Sequence, residues 1–373
     1  MADKPKQKKN IAKIIVFILF IIAGFLLGVK IAKNLDTVDD KGTYLLRITI
    51  VFLSLYVSLL LTTITHEAGH LVMGLATGYK YLSFRIGSIV LQKTEQGLKF
   101  KKFSIAGTGG QCLMIPPEVN NPEDVPYFWY NFGGGFFNLL SALICVPFIF
   151  IIRNDLIKAV LIVFALYSAF TGFINLIPLD FGVANDGMNI LAMAKNPYAR
   201  GVLYRQFKIN ALLNSGTRLK DMPDELFEHD ENQKDHLSAT MPSLQTARLM
   251  DEMKFDEAGK EYEKILENPN LPKLYVNEYS CELLFCKIVN GAPREEIDEI
   301  YNKELQNYVK ASGKTMISRR KLLYAYYLII EKNAELAEKE YQLAYKMEKS
   351  YPIKADADFE LAMIEYVKAN FQI

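Results

Sequence analysis

A mostly apolar run at residues 48–64 leads into the segment 66–70, which reads HEAGH. An apolar stretch of this length predicts a helix that crosses a membrane. Residues four apart share one face of a helix, so His66 and His70 can bind a single metal ion. Glu67 sits beside them, where its carboxylate can take a proton from water at that metal. The sequence therefore predicts a metal site at the end of a membrane helix.

Three further stretches are long and apolar enough to span a bilayer, which makes about four in total. The predicted spans are 11–29, 44–70, 129–152 and 156–178. The first resembles a signal peptide in its lysines and apolar core, but no small-x-small cleavage site follows it. Lys30 and Lys33 flank its far end, so a retained N-terminal anchor in residues 1–43 is the expectation.

The lysines predict the orientation of these spans in the membrane. Four precede the first span, and six basic residues lie between the second and third: Lys80, Arg85, Lys93, Lys99, Lys101 and Lys102. Because positive loops remain in the cytoplasm, both segments are expected there. Both termini of this membrane protein, expected in a bacterial cell membrane, are then cytoplasmic.

The segment 79–115 does not have a helical pattern. An alternating run from Tyr81 to Leu91, a polar turn at 95–97 and a second run at 98–103 predict a β-hairpin after the HEAGH helix. Glycines at 107, 109 and 110 then interrupt the chain. An exposed strand edge beside a metal site could bind a peptide as an added strand.

Two histidines leave a catalytic zinc one protein ligand short. Met73 and Ala76 stand where the extended HExxHxxGxxH pattern needs glycine and histidine, so no third ligand follows locally. His229 and His236 lie in a polar region and are expected at the surface. The best candidate is Asp186.

Asp186 follows the fourth span and precedes Gly187. The backbone freedom of this glycine allows a turn that directs the carboxylate inward. A carboxylate at the membrane boundary usually has a partner or a function. An ordinary Asp-Gly turn would look the same locally, and Asp180 competes for the role by position alone.

HExxH in one span together with Asn175-x-x-Pro178 and Asp186-Gly187 at the end of a later one resembles the site-2 protease family of intramembrane zinc metalloproteases. The resemblance covers about residues 44–190. It implies one zinc per chain, bound by His66, His70 and Asp186, with Glu67 as the general base.

The third span carries GGGFFN at 133–138, similar to the family's Gly-Pro-x-x-Asn element, with Gly135 in place of proline. Asn138 and Asn175 are candidates for binding the substrate backbone or the oxyanion, or else they join helices as buried polar residues. Asp186 follows Asn175 by eleven residues where the family usually has eight, and Asn185 replaces a leucine.

The polar C-terminal half is expected to be a soluble, all-helical domain at 243–373, after an amphipathic connector and linker at 191–242. Ala258 and Tyr262 match Ala337 and Tyr341 in two segments that resemble tetratricopeptide helix pairs. The region between them, about 273–312, must be irregular if these are repeats. A helical solenoid would offer a surface for a cytoplasmic protein or peptide partner; a bundle that only stabilises the membrane part is the alternative.

The predicted fold is mostly α: a polytopic membrane core of about four helices with a short β-hairpin, followed by a soluble helical-repeat domain. The predicted function is hydrolysis of membrane-bound peptides or leaders near the cytoplasmic face. A membrane-anchored adaptor with a vestigial metal site is the alternative.

With 43 basic and 42 acidic residues, the chain gives no reason to expect nucleic acid as a partner. The four scattered cysteines are expected to be reduced.

Overall fold

The computed structural model describes residues 41–94, 97–103, 108–179, 184–233, 235–269 and 271–371. The predicted first span, 11–29, lies outside these residues. The described chain forms two compact units, one made of residues 41–77 and 127–191 and the other of residues 78–126 and 192–371. Each unit is mostly helical, which confirms the predicted fold class.

The first unit contains three apolar helices: α1 (Lys41–Ala76), α2 (Tyr127–Ile151) and α3 (Asp155–Leu176). Within the described residues these are the helices long and apolar enough to cross a membrane, and they coincide with the second, third and fourth predicted spans. The short helix α4 (Asp186–Lys195) follows α3. At 36 residues α1 is about 54 Å long, more than a bilayer core requires.

Helix α1 has the polarity expected in lipid, with small and polar residues turned inward. Ser54, Ser58 and Thr62 are buried, and the same stripe continues through His70 to Gly74. Leucines, valines and phenylalanines on the other faces remain exposed. Small and hydroxyl side chains allow close helix packing where lipid supplies no hydrophobic drive. This stripe therefore places the HEAGH segment in the helix interface.

Glycines set how closely the membrane helices approach. A Cβ on Gly69 would lie 2.2 Å from the carbonyl oxygen of Gly133, and one on Gly133 would lie 2.3 Å from that of Gly69. A Cβ on Gly135 would meet Leu176 of α3 at 2.5 Å. The glycine run of α2 thus allows backbone contact with α1 on one side and close packing on α3 on the other.

The second unit begins with a four-stranded antiparallel sheet of order β3-β2-β1-β4. The strands are β1 (Lys80–Ile86), β2 (Ile89–Thr94), β3 (Gly97–Lys102) and β4 (Gly110–Ile115). The run 81–91, predicted as one strand of a hairpin, is two strands. Gly87 adopts a positive φ of 57° and turns the chain so that Ile86 pairs with Ile89. Residues 95 and 96 of the predicted polar turn lie outside the described residues; Thr94 of β2 pairs with Gly97 of β3.

Helices make up the rest of the second unit. They are α5 (Pro197–Ser215), α6 (Met241–Asp251), α7 (Phe255–Leu266), α8 (Lys273–Val289), α9 (Arg294–Ile300), α10 (Lys303–Ser312), α11 (Ile317–Ala325), α12 (Ala334–Glu348) and α13 (Lys354–Asn370). One turn of π-helix, Tyr326–Ile330, extends α11. Short 3₁₀ turns at Leu219–Asp221, Asp224–Leu226 and Ser238–Thr240 lie between α5 and α6.

The core of this helical region centres on α8, α11 and α13. Leu284, Phe285, Ile288 and Ala325 are fully buried there. Ala258 and Ala337, the small residues of the two repeat-like segments, are buried at 0% and 1% exposure, as close helix packing requires. The middle region 273–312 holds three helices rather than a pair. The all-helical prediction is therefore confirmed, whereas the tetratricopeptide likeness stays a prediction.

Candidate metal centre

His66, His70 and Asp186 lie together in the first unit, on α1 and at the first residue of α4. The Nε2 atoms of the two histidines are 3.2 Å apart. Asp186 Oδ2 lies 3.3 Å from His66 Nε2 and 3.5 Å from His70 Nε2. Three ligand atoms from distant parts of the sequence thus form a nearly equilateral triangle.

The size of this triangle matches a tetrahedral zinc site. Zinc binds imidazole nitrogen and carboxylate oxygen at about 2.0–2.2 Å, so tetrahedral ligand atoms stand about 3.3–3.6 Å apart. The measured separations run from 3.2 to 3.5 Å. Two imidazoles and one carboxylate are also a donor set of catalytic zinc sites, with the fourth position left for water or substrate.

Two further features of the triangle fit a bound ion. Asp186 Oδ2 is buried and lies close to both imidazoles. It accepts no hydrogen bond of normal geometry from the described residues. Gly134 of α2 faces the site. A Cβ there would lie 2.5 Å from His70 Nε2 and 2.6 Å from His66 Cε1. The residues therefore fit a small divalent cation, and glycine at 134 preserves the space beside the two rings.

His70 is held by a backbone group of α2. Its Nδ1 lies 2.7 Å from the carbonyl oxygen of Tyr130, so Nδ1 carries the proton and Nε2 is left free to bind a metal. This carbonyl has no sequence signature, and sequence reasoning missed it. The signal nearest to it was the glycine run at 133–135, which lets α2 approach α1 this closely.

Asn138, a predicted substrate or oxyanion residue, is fully buried. Its Nδ2 lies 3.3 Å from His66 Nδ1, on the side of the ring away from Asp186. The backbone carbonyl of Asn138 accepts a hydrogen bond from Ser168 of α3, which fixes α2 against that helix. The structure thus brings Asn138 to the metal centre through His66.

The remaining candidates have different surroundings. Glu67 is 8% exposed and follows His66 on the buried stripe of α1. Asn175, half-buried, donates to the carbonyl of Thr171 one turn earlier in its own helix. Asp180, the competing third ligand, lies outside the described residues. His229 and His236 are half-buried residues of the second unit.

Comparison with known proteins gives one match, which lies in the membrane part of the chain. No curated protein and no solved structure matches the chain. Residues 54–154 match the family model described as peptidase family M50. The matched stretch contains the HEAGH segment and the glycine-rich helix that packs against it. This stretch of the chain is therefore similar to peptidase family M50, the site-2 proteases, a family of membrane zinc metalloproteases.

Proposed function

We propose that this chain is an intramembrane zinc endopeptidase that hydrolyses membrane-bound peptides or leaders near the cytoplasmic face. One observation carries the proposal: His66, His70 and Asp186 place three ligand atoms 3.2–3.5 Å apart, a spacing that fits one tetrahedral zinc. The family match at residues 54–154 supports peptidase chemistry at that site.

In this mechanism His66, His70 and Asp186 would hold the ion. A zinc bound by them supplies a Lewis acid for the scissile carbonyl and acidifies water at the site. Glu67 accepts the proton that the attacking water loses as its oxygen bonds to the carbonyl carbon. It then delivers that proton to the amine nitrogen as the C–N bond breaks. Burial of Glu67 in the helix interface keeps bulk water from competing for this proton.

A membrane-spanning substrate must unwind locally before it can be cut, because a helix hides its carbonyls in its own hydrogen bonds. Asn175 is proposed to bind the exposed substrate backbone near the end of α3. The lysines of the segment between α1 and α2 favour a cytoplasmic position for it, which motivates cleavage near that face. The C-terminal helical domain is proposed to bind a cytoplasmic protein or peptide.

The test uses the full chain purified in detergent. We expect about one zinc per chain, lost in His66→Ala and retained in Glu67→Gln, because the glutamate is not a ligand. Glu67→Gln should also accumulate, and co-purify with, an uncleaved membrane peptide. Glu335→Gln, on an exposed helix surface, is the matched control and should behave as wild type. A wild-type chain without zinc, or a Glu67→Gln variant that traps no peptide, would count against the proposal.

A further inference from the structure

The side chain of Asn185 makes four hydrogen bonds at the point where α3 ends and α4 begins. Its Nδ2 donates to the carbonyl oxygens of Ile174 at 2.5 Å and Ile177 at 2.8 Å. Its Oδ1 accepts from the backbone N–H groups of Leu179 at 3.2 Å and Met188 at 2.9 Å. Both donors and the acceptor of this one amide are therefore in use.

These bonds meet a need that Pro178 creates. In a continuing helix the carbonyl of Ile174 would accept from the N–H of residue 178, but proline has none. Asn185 supplies the missing donor from seven residues further on. At the other end of the side chain, the bond from the Met188 N–H makes Asn185 the N-cap of α4. One residue thus ties the start of α4 to the end of α3.

Asp186 lies between this asparagine and Gly187, and both neighbours dock on the same end of α3. A Cβ on Gly187 would lie only 2.3 Å from the carbonyl oxygen of Leu176. The backbone on either side of Asp186 is therefore held against residues 174–177. The carboxylate is left pointing at the histidines, 3.3 Å and 3.5 Å from their Nε2 atoms.

We propose that Asn185 is the positioning residue for Asp186, and that it holds the third ligand at the metal centre; this rests on the proposed function. In the pattern that the chain resembles, a leucine stands here and the aspartate follows the asparagine by eight residues rather than eleven. A longer connection leaves the ligand more conformational freedom. The four hydrogen bonds of the Asn185 side chain, called the Asn185 clamp below, remove that freedom. A leucine side chain could form none of them.

The test measures zinc affinity of the full chain by competition with a chelator. We expect Asn185→Leu to weaken zinc binding by about 10–100-fold, the usual loss when a ligand's supporting hydrogen bonds are removed. Asn185→Ser keeps an acceptor for capping α4 but cannot reach the two carbonyls, so it should lose affinity to a similar degree. A loss in both variants supports a clamp on Asp186.

Asn154 provides the matched control. It caps the other end of α3 through bonds from the N–H groups of Leu156 and Ile157 and is remote in sequence from the ligands. Asn154→Ser should bind zinc as wild type does. If Asn185→Ser binds zinc as tightly as wild type, or loses no more than Asn154→Ser, the inference is wrong while the proposed function stands. If wild type binds no zinc, or His66→Ala binds it equally well, the proposed function itself fails.

Discussion

Asn138 and His66 meet through the side of the imidazole that faces away from Asp186, with Asn138 Nδ2 at 3.3 Å from His66 Nδ1. When His66 binds a metal through Nε2, Nδ1 carries the proton and requires an acceptor. Turning the amide by 180° presents Oδ1 to that proton. It also gives a hydrogen bond to Oδ1, which otherwise lacks one among the described residues. This arrangement predicts that Asn138 orients His66 as a metal ligand.

This relationship predicts how two substitutions at Asn138 will differ. Asn138→Leu should lower zinc affinity by about 10-fold or more, because His66 loses the Asn138 amide as a hydrogen-bond partner. Asn138→Asp keeps an acceptor for Nδ1–H and should retain most of the affinity. Chelator competition measures both. Equal affinity in Asn138→Leu and wild type would instead favour a role at the substrate.

A second prediction concerns the space beside the two histidines. Gly134→Ala places a Cβ 2.5 Å from His70 Nε2, and Tyr130 holds that ring in position, so the ring cannot easily withdraw. We expect zinc binding and peptidase activity to be lost. Gly201→Ala is the control, since the nearest atoms of the described residues would lie 3.6 Å from its Cβ and helix propensity favours alanine. Zinc content after purification distinguishes the two. Full zinc loading of Gly134→Ala would contradict this description of the site.

The third prediction concerns a buried lysine in the helical domain. Lys321 is fully buried, and its Nζ lies 2.7 Å from Glu282 and 2.9 Å from Glu360. Lys321→Met leaves Glu282 with Arg319 alone and removes the ion-pair partner of Glu360, so it should destabilise the domain by about 3–5 kcal/mol. Denaturant unfolding followed by circular dichroism measures this loss.

An exposed ion pair provides the comparison for Lys321. Lys260 pairs with Asp256 at 2.6 Å on the surface of α7, and Lys260→Met should cost at most about 0.5 kcal/mol. Glu360→Gln added to Lys321→Met should recover part of the larger loss, because it removes the carboxylate that has lost its ion-pair partner. A small effect of Lys321→Met alone would show that water reaches this network.

The fourth prediction is a pH dependence of stability. Burial raises the pKa of Asp356, at the start of α13, to about 7 from its ordinary value of 3.8. Below pH 4 both the folded and the unfolded chain hold this proton. Between about pH 4 and 7 the unfolded chain releases it and the folded chain keeps it, so stability falls as pH rises and levels off above about 7.

Asp356→Asn should remove this contribution. The measurement is the difference in thermal unfolding midpoint between pH 5 and pH 8, compared between the variant and wild type. Wild type should lose more stability than the variant on going to pH 8. An identical change in the two proteins would show that Asp356 ionises normally in the folded state.

The local sequence pattern predicted the elements that depend only on the length and hydropathy of a segment. The apolar runs indicated helices α1, α2 and α3, because length and hydropathy alone determine which segments can lie in lipid. Gly87 was missed, since one glycine inside an alternating run looks like part of a strand until pairing shows that the chain reverses there.

The sequence by itself determined that His66 and His70 share one face of a helix, because a spacing of four residues fixes their geometry locally. It left Asp186 and Asp180 as rival ligands. Only the tertiary structure brought Asp186 to the histidines, and only it showed the Tyr130 carbonyl and the Asn185 clamp. The contact of His70 with Tyr130 and two of the Asn185 bonds end on backbone carbonyls, which every residue carries, so the sequence pattern did not reveal them.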